Sequence, residues 1–126
     1  MLYAATTEAI TVSVRPVYLD DQSDVFVPRF VFAYFVQIEN EGAEEVQLLR
    51  RHWVIRHGDG RTTEVEGEGV VGQQPVIGPG ETHVYNSFCV LEMMTGSMEG
   101  TYLMQRPNGA RFRAVIPQFH LRAAAN

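Results

Sequence analysis

The chain has 126 residues, 45% of them apolar, and a net charge of −5 from 15 acidic and 10 basic residues. That length fits one domain, 1–126 with a core at about 7–122, large enough to bury roughly two thirds of the surface its unfolded form exposes. The acidic balance excludes the basic footprint of a nucleic-acid binder, no stretch approaches the roughly 18 apolar residues of a membrane helix, and the single cysteine excludes an internal disulfide.

All ten basic residues are arginine, so there is no P-loop lysine, Schiff-base lysine or lysine general base. The opening "MLYAATTEAI" has neither a basic n-region nor a long apolar h-region. With the lone thiol, Cys89, this points to a cytoplasmic protein.

Period-2 alternation runs through the chain. "TEAITVSVRPVYL" sets Ile10, Val12 and Val14 against Thr11, Ser13 and Arg15, the pattern of a half-buried strand, and Pro16 signals an edge or a bend. "DDQSD" reads as an acidic loop. "RFVFAYFVQIEN" is apolar on both faces, and its Phe30, Phe32, Tyr34 and Phe35 read as core. "VQLLRRHWVIRH" is the third strand, and Asp59-Gly60 is a hairpin signal leading back through "TTEVEG". After a glycine-rich stretch come the strand "THVYNSFCVL", a loop "EMMTGSMEG", the strand "TYLMQR", a Pro-Asn-Gly turn and the strand "RFRAVIPQFHL". The tail "RAAAN" reads as loose. About seven short antiparallel strands with no amphipathic helix predict an all-β immunoglobulin- or fibronectin type III-like sandwich. Trp53 on the third strand fits the buried tryptophan of such folds. Tyr102, opening the sixth, fits a tyrosine corner.

Residues 67–72, "GEGVVG", carry the glycine spacing of a dinucleotide-binding turn. That chemistry needs a helix N-terminus after the turn, to receive a pyrophosphate. Here Val70, Val71 and then Pro75 follow, the βαβ unit is missing, and so is the acidic residue some 20 positions on. A Rossmann site is thereby excluded. Two readings stand: a bulge or bend where the strand changes sheets, or a nest of backbone N–H groups holding an anion, helped by Arg61 and opposed by Glu64, Glu66 and Glu68.

Other groups carry less. His52, His57, His83 and His120 lack zinc-ligand spacing. Asp20, Asp21 and Asp24 lack a full calcium-loop pattern and read as a solvated loop. Cys89 reads as a buried inert thiol, and no serine sits in a nucleophile elbow. Met93, Met94, Met98 and Met104 read as core filling, or, where exposed, as a protein-binding patch.

The stretches "GEGVVGQQPVIGPGE", "GSMEGTYLM" and "FRAVIPQFHL" resemble the ApaG family, as do "ITVSVRPVYL", "FAYFVQIENEG" and "RHWVI". The likeness spans residues 7 to 122. It implies a fibronectin type III-like sandwich in the bacterial cytoplasm, associated with cobalt and magnesium tolerance and with a diadenosine tetraphosphate hydrolase encoded nearby. Related eukaryotic domains look like protein-interaction modules. The family's glycine motif, discussed as a pyrophosphate site, maps here to Gly67, Gly69 and Gly72, and no catalytic residues come with it.

The expected function is a non-enzymatic binding module for a protein partner, with no cofactor and no fixed metal site. The alternative is a pyrophosphate or dinucleoside-polyphosphate binder using Gly67, Gly69, Gly72 and Arg61, with or without a divalent cation. Homodimerisation is left open.

Overall fold

The computed structural model describes residues 1–123. It is all-β, with nine strands and no α-helix among the described residues. They are β1 (Tyr3–Thr7), β2 (Ile10–Tyr18), β3 (Phe30–Asn40), β4 (Val46–His57), β5 (Thr62–Glu68), β6 (Val76–Ile77), β7 (Thr82–Leu91), β8 (Thr95–Gln105) and β9 (Arg111–Arg122). One antiparallel sheet has the order β1-β2-β3-β7 and the other β5-β4-β8-β9, with β6 also pairing β4. This is the two-sheet sandwich that the alternation predicts.

The count rises from about seven to nine because β1 and β6 carry weak sequence signals. β1 turns into β2 through Glu8 and Ala9, both at positive φ, with Thr7 opposite Ile10. That is a tight hairpin built without the usual Asn-Gly or Asp-Gly pair. The Asp59-Gly60 and Asn108-Gly109 turns form where expected, closed by Gly60 N–H to His57 O (2.9 Å) and Gly109 N–H to Arg106 O (2.9 Å). The acidic loop contains a 3-10 turn, Asp20–Gln22. Pro16 lies where β2 has run past β1, whose Tyr3 already pairs Val14. Its missing N–H therefore faces no strand on that side.

The core lies between the sheets. Ile10, Val12 and Val14 face Leu48, Trp53, Tyr102, Met104, Ile116 and Phe119, all buried. β3 is buried on one face and covered on the other only over Val31 and Ala33, whereas Phe35, read as core, is 39% exposed with the Arg15 guanidinium 4.7 Å above its ring, and Gln37 and Glu39 beyond it are exposed. β8 begins at Thr95, so most of the stretch read as a methionine loop is strand, and Met98 and Met104 are core. β9 takes up an extra residue near Pro117, where Met98 pairs Phe119 but Gly100 pairs Ile116. Proline is tolerated at such a bulge. Of the tail, Arg122 ends β9, and residues 124–126 lie outside the described residues.

Among the described residues the two sheets pack edge to edge on the β1–β9 side. β9 contacts β1 and β2, Val115 N–H donates to Thr7 Oγ1 (3.1 Å), and the Tyr3 and Phe119 rings meet. On the opposite side the end strands β5 and β7 stand apart, and a cleft opens between them.

Candidate functional site

The glycine stretch lies at this open side, wrapped around a bulge in β4. Leu48 pairs Met104 and Arg50 pairs Leu103, so Leu49 is the extra residue. A bulge leaves backbone groups out of the ladder. Here the Leu49 carbonyl accepts from Gly69 N–H (2.9 Å) and from Gln74 Nε2 (2.9 Å), and Leu48 N–H donates to Pro75 O (3.0 Å).

Each glycine then has a local cause. Val70 and Gln73 exchange both backbone bonds, 2.8 and 3.0 Å, around a two-residue turn formed by Val71 (φ 46°) and Gly72 (φ 76°). Gly69, at φ 62°, lies so close that a Cβ would sit 2.1 Å from Gln73 O. At Gly67 a Cβ would meet Arg51 Nη2, Cζ and Nη1 at 2.8–2.9 Å, so the guanidinium rests flat on that glycine. The N–H groups of Gly69 and Val70 are engaged internally. Close packing at Gly67 and Gly69 and positive φ at Gly69 and Gly72 give each glycine a local cause, but the chain does not change sheets here, because β5 and β6 both pair β4.

Arg61 is not brought to the turn. It begins the far end of β5's hairpin, where its Nε contacts Asp59 Oδ2 at 2.7 Å, and its Nη2 is 3.7 Å from Glu92 Oε2. The arginine beside the glycines is Arg51. Its Nη1 donates to Glu68 O (2.9 Å) and Gly69 O (3.0 Å), which fixes the guanidinium at the mouth of the cleft. The bulge explains how sequence reading missed it. Val46 and Leu48 face inward, and strict alternation would continue with Arg50. After Leu49 the inward residues are odd-numbered, so Arg51 precedes Trp53 and Ile55 on the inner face. That change of phase between Leu48 and Trp53 was the available signal.

The cleft has a volume of about 290 Å³. Tyr34, Trp53, Val65, Ser87 and Cys89 line it together with Arg51. Burial raises the Tyr34 hydroxyl pKa against the opposing hydrogen bond of Ser87. Burial also pushes the Cys89 thiol up to about 11, so it is protonated at neutral pH and is no nucleophile there. Tyr102 is fully buried, but its hydroxyl meets that of Tyr85 rather than a backbone group. The tyrosine corner is therefore replaced by a tyrosine pair, and burial raises both pKa values.

The remaining candidates stay dispersed. His52 Nε2 is 3.3 Å from Glu64 Oε1 and His57 Nε2 is 2.9 Å from Thr63 Oγ1. No three His, Cys, Asp or Glu side chains converge as a metal set among the described residues. Asp24 accepts from Phe26 N–H (2.9 Å) and shapes its own loop. Of Met93, Met94, Met98 and Met104, Met94 is strongly exposed and Met98 and Met104 are buried. A further residue escaped the sequence reading: Asn40, buried, donates to Glu44 O (2.8 Å) and Ile77 O (2.9 Å) and accepts from Gly42 N–H (2.9 Å).

Sheet order and the buried tryptophan define a fibronectin type III-like β-sandwich. The family model for the ApaG domain matches residues 20–106, and the chain belongs to the ApaG family. It is 50% identical over 120 residues to Protein ApaG of Paramagnetospirillum magneticum, covering 95% of this chain and 92% of the relative. It is 51% identical over 116 residues to Protein ApaG of Pseudomonas aeruginosa, with 92% of each covered. A crystal structure of an ApaA protein from Bordetella pertussis superposes with a TM-score of 0.89 at 45% identity, covering 93% of this chain and 95% of that one.

Proposed function

We propose that the protein is a non-catalytic cytoplasmic binding module that takes an extended segment of a protein partner along β7. One observation carries this reading: β7 is an end strand of ten residues, Thr82–Leu91, with no Asp, Glu, Lys or Arg in it. Its outer face carries three exposed apolar side chains beside Thr82 and Asn86. Val84 is 61% exposed, Phe88 57% and Val90 47%, and Phe35 lies beside them on β3. A long, uncharged edge is a template for another strand, and proteins usually guard such edges with charge. The other end strand, β5, is guarded in that way by Glu64, Glu66 and Glu68. Two copies of a chain with net charge −5 repel one another, so the occupant best supported is a different protein with basic residues flanking an apolar core segment. The cobalt and magnesium tolerance linked to the family would then act through that partner.

The competing reading, a pyrophosphate seat at Gly67–Gly72, is weakened because the N–H groups of Gly69, Val70 and Gln73 bond within the chain and Arg61 is elsewhere.

The test is affinity capture with wild type, Phe88→Glu on β7 and Glu66→Arg on β5, each checked for native far-UV dichroism. A partner held by wild type and by Glu66→Arg but released by Phe88→Glu is the expected result. Retention by Phe88→Glu, or no partner at all, would overturn it. A size-exclusion shift that Phe88→Glu abolishes would replace the partner with a second copy.

A further inference from the structure

We infer that the cleft between β5 and β7 is a carboxylate site centred on Arg51, taking an anion with an aromatic or branched apolar body. Arg51 is half-buried on the inner face of the sandwich, and among the described residues no carboxylate lies within ion-pair distance of it. Other arginines do find one: Arg56 meets Glu99 at 2.9 Å and Arg106 meets Glu8 at 3.3 Å. The fold positions this unpaired guanidinium through three separate features. A bulge turns Arg51 inward, Gly67 makes room for the guanidinium, and two carbonyls hold its Nη1. Nε and Nη2 are left for a ligand.

The neighbouring acids cannot supply the missing charge. Glu64, Glu66 and Glu68 alternate with the cleft-lining Val65, so they belong to the outer face, where Glu64 meets His52. The surroundings then set the ligand class. A planar guanidinium fork matches a carboxylate in two parallel bonds. Trp53, Val65 and Met98 offer apolar surface for its body, and Tyr34 and Ser87 offer hydroxyls beside the head group. A polyphosphate would find one cation and a row of three glutamates on the same edge strand. The carboxylate can come from a free acid or from a peptide's C-terminus.

The experiment is a titration of the ¹⁵N-labelled protein, read at the Arg51 Nε–Hε signal and at the amides of β5 and β7. The probes are benzoate, its neutral isostere benzamide, a short peptide ending in phenylalanine, and inorganic pyrophosphate. Saturable shifts at Arg51 with benzoate but not benzamide are expected. Tighter binding of the peptide would assign a protein source, and equal binding a free acid. Arg51→Gln, with a native spectrum, should weaken binding by at least about tenfold. Val65→Trp, which fills the cleft and leaves the Arg51 hydrogen bonds intact, should do the same if Arg51→Gln does not fold. Equal shifts with benzamide, no saturable shift, or pyrophosphate shifts confined to Val70–Gln73 would each overturn the assignment.

Discussion

At Gly69 a methyl group would lie 2.1 Å from the Gln73 carbonyl oxygen, on a backbone already at φ 62°. At Gly72 the backbone is equally left-handed, φ 76°, yet nothing stands within 4 Å of the added carbon. The two substitutions therefore separate crowding from conformation. Gly72→Ala should cost about 1 kcal/mol, the penalty of placing an L side chain in that region. Gly69→Ala should cost about 3 kcal/mol, because the Val70–Gln73 bridge must also open. Urea unfolding of the two variants measures both, and equal midpoints would refute the distinction. The same contrast decides how binding at this turn can be probed: a Gly69 variant perturbs the fold itself, whereas a Gly72 variant leaves the bulge contacts in place.

Among the elements, legibility followed the strength of local alternation. β3, β4 and β7 were placed to within a residue, because their apolar runs are long and their flanking turns carry Gly or Asp. β1 was missed because its turn is Glu8-Ala9, a pair without the usual preference for positive φ. β6, two residues long, exists only through its pairing with Val46 and Gln47, a contact no local pattern encodes. The start of β8 was read as a loop because glycines and methionines dominate it. Gly100 is there because a Cβ would lie 2.0 Å from the His52 carbonyl oxygen on β4, a reason that is tertiary. The site was less legible than the fold. The three glycines were singled out, but the cation beside them was taken to be Arg61, whereas Arg51 lies against Gly67. That choice rested on closeness in sequence. A residue's distance along a hairpin says little about what faces it across the sandwich, and the bulge at Leu49 reversed which of Arg50 and Arg51 points inward.

For the molecule as a whole, the ionisable groups buried at the open side make stability fall at alkaline pH. Burial raises the Cys89 thiol from 9.0 to about 11, and it also raises Tyr34, Tyr85 and Tyr102. A group whose folded pKa is raised is favoured in its protonated form by the native state. Its contribution is complete below the unfolded pKa and is lost as pH climbs through the folded one. Cys89 alone should account for a decline on the order of 2 kcal/mol between about pH 9 and pH 11. The tyrosines extend the decline upward. Cys89→Val should flatten the first part of the curve in urea titrations at successive pH values, and an unchanged slope would show the thiol has no part in it.

The one-sided closure of the sandwich also sets how the native state opens. The β1–β9 side is tied by rings and by the Thr7 hydroxyl, whereas the β5–β7 side has only the exposed Arg61–Glu92 approach among the described residues, and β5 is exposed along nearly its whole length. Amide protons should therefore exchange with solvent in a gradient across the molecule. Those of β5 and the free margin of β7 should exchange first through partial opening, and those of β3, β4 and β8 only when the whole chain unfolds. Occupation of the cleft would suture that margin and slow the first class without touching the last.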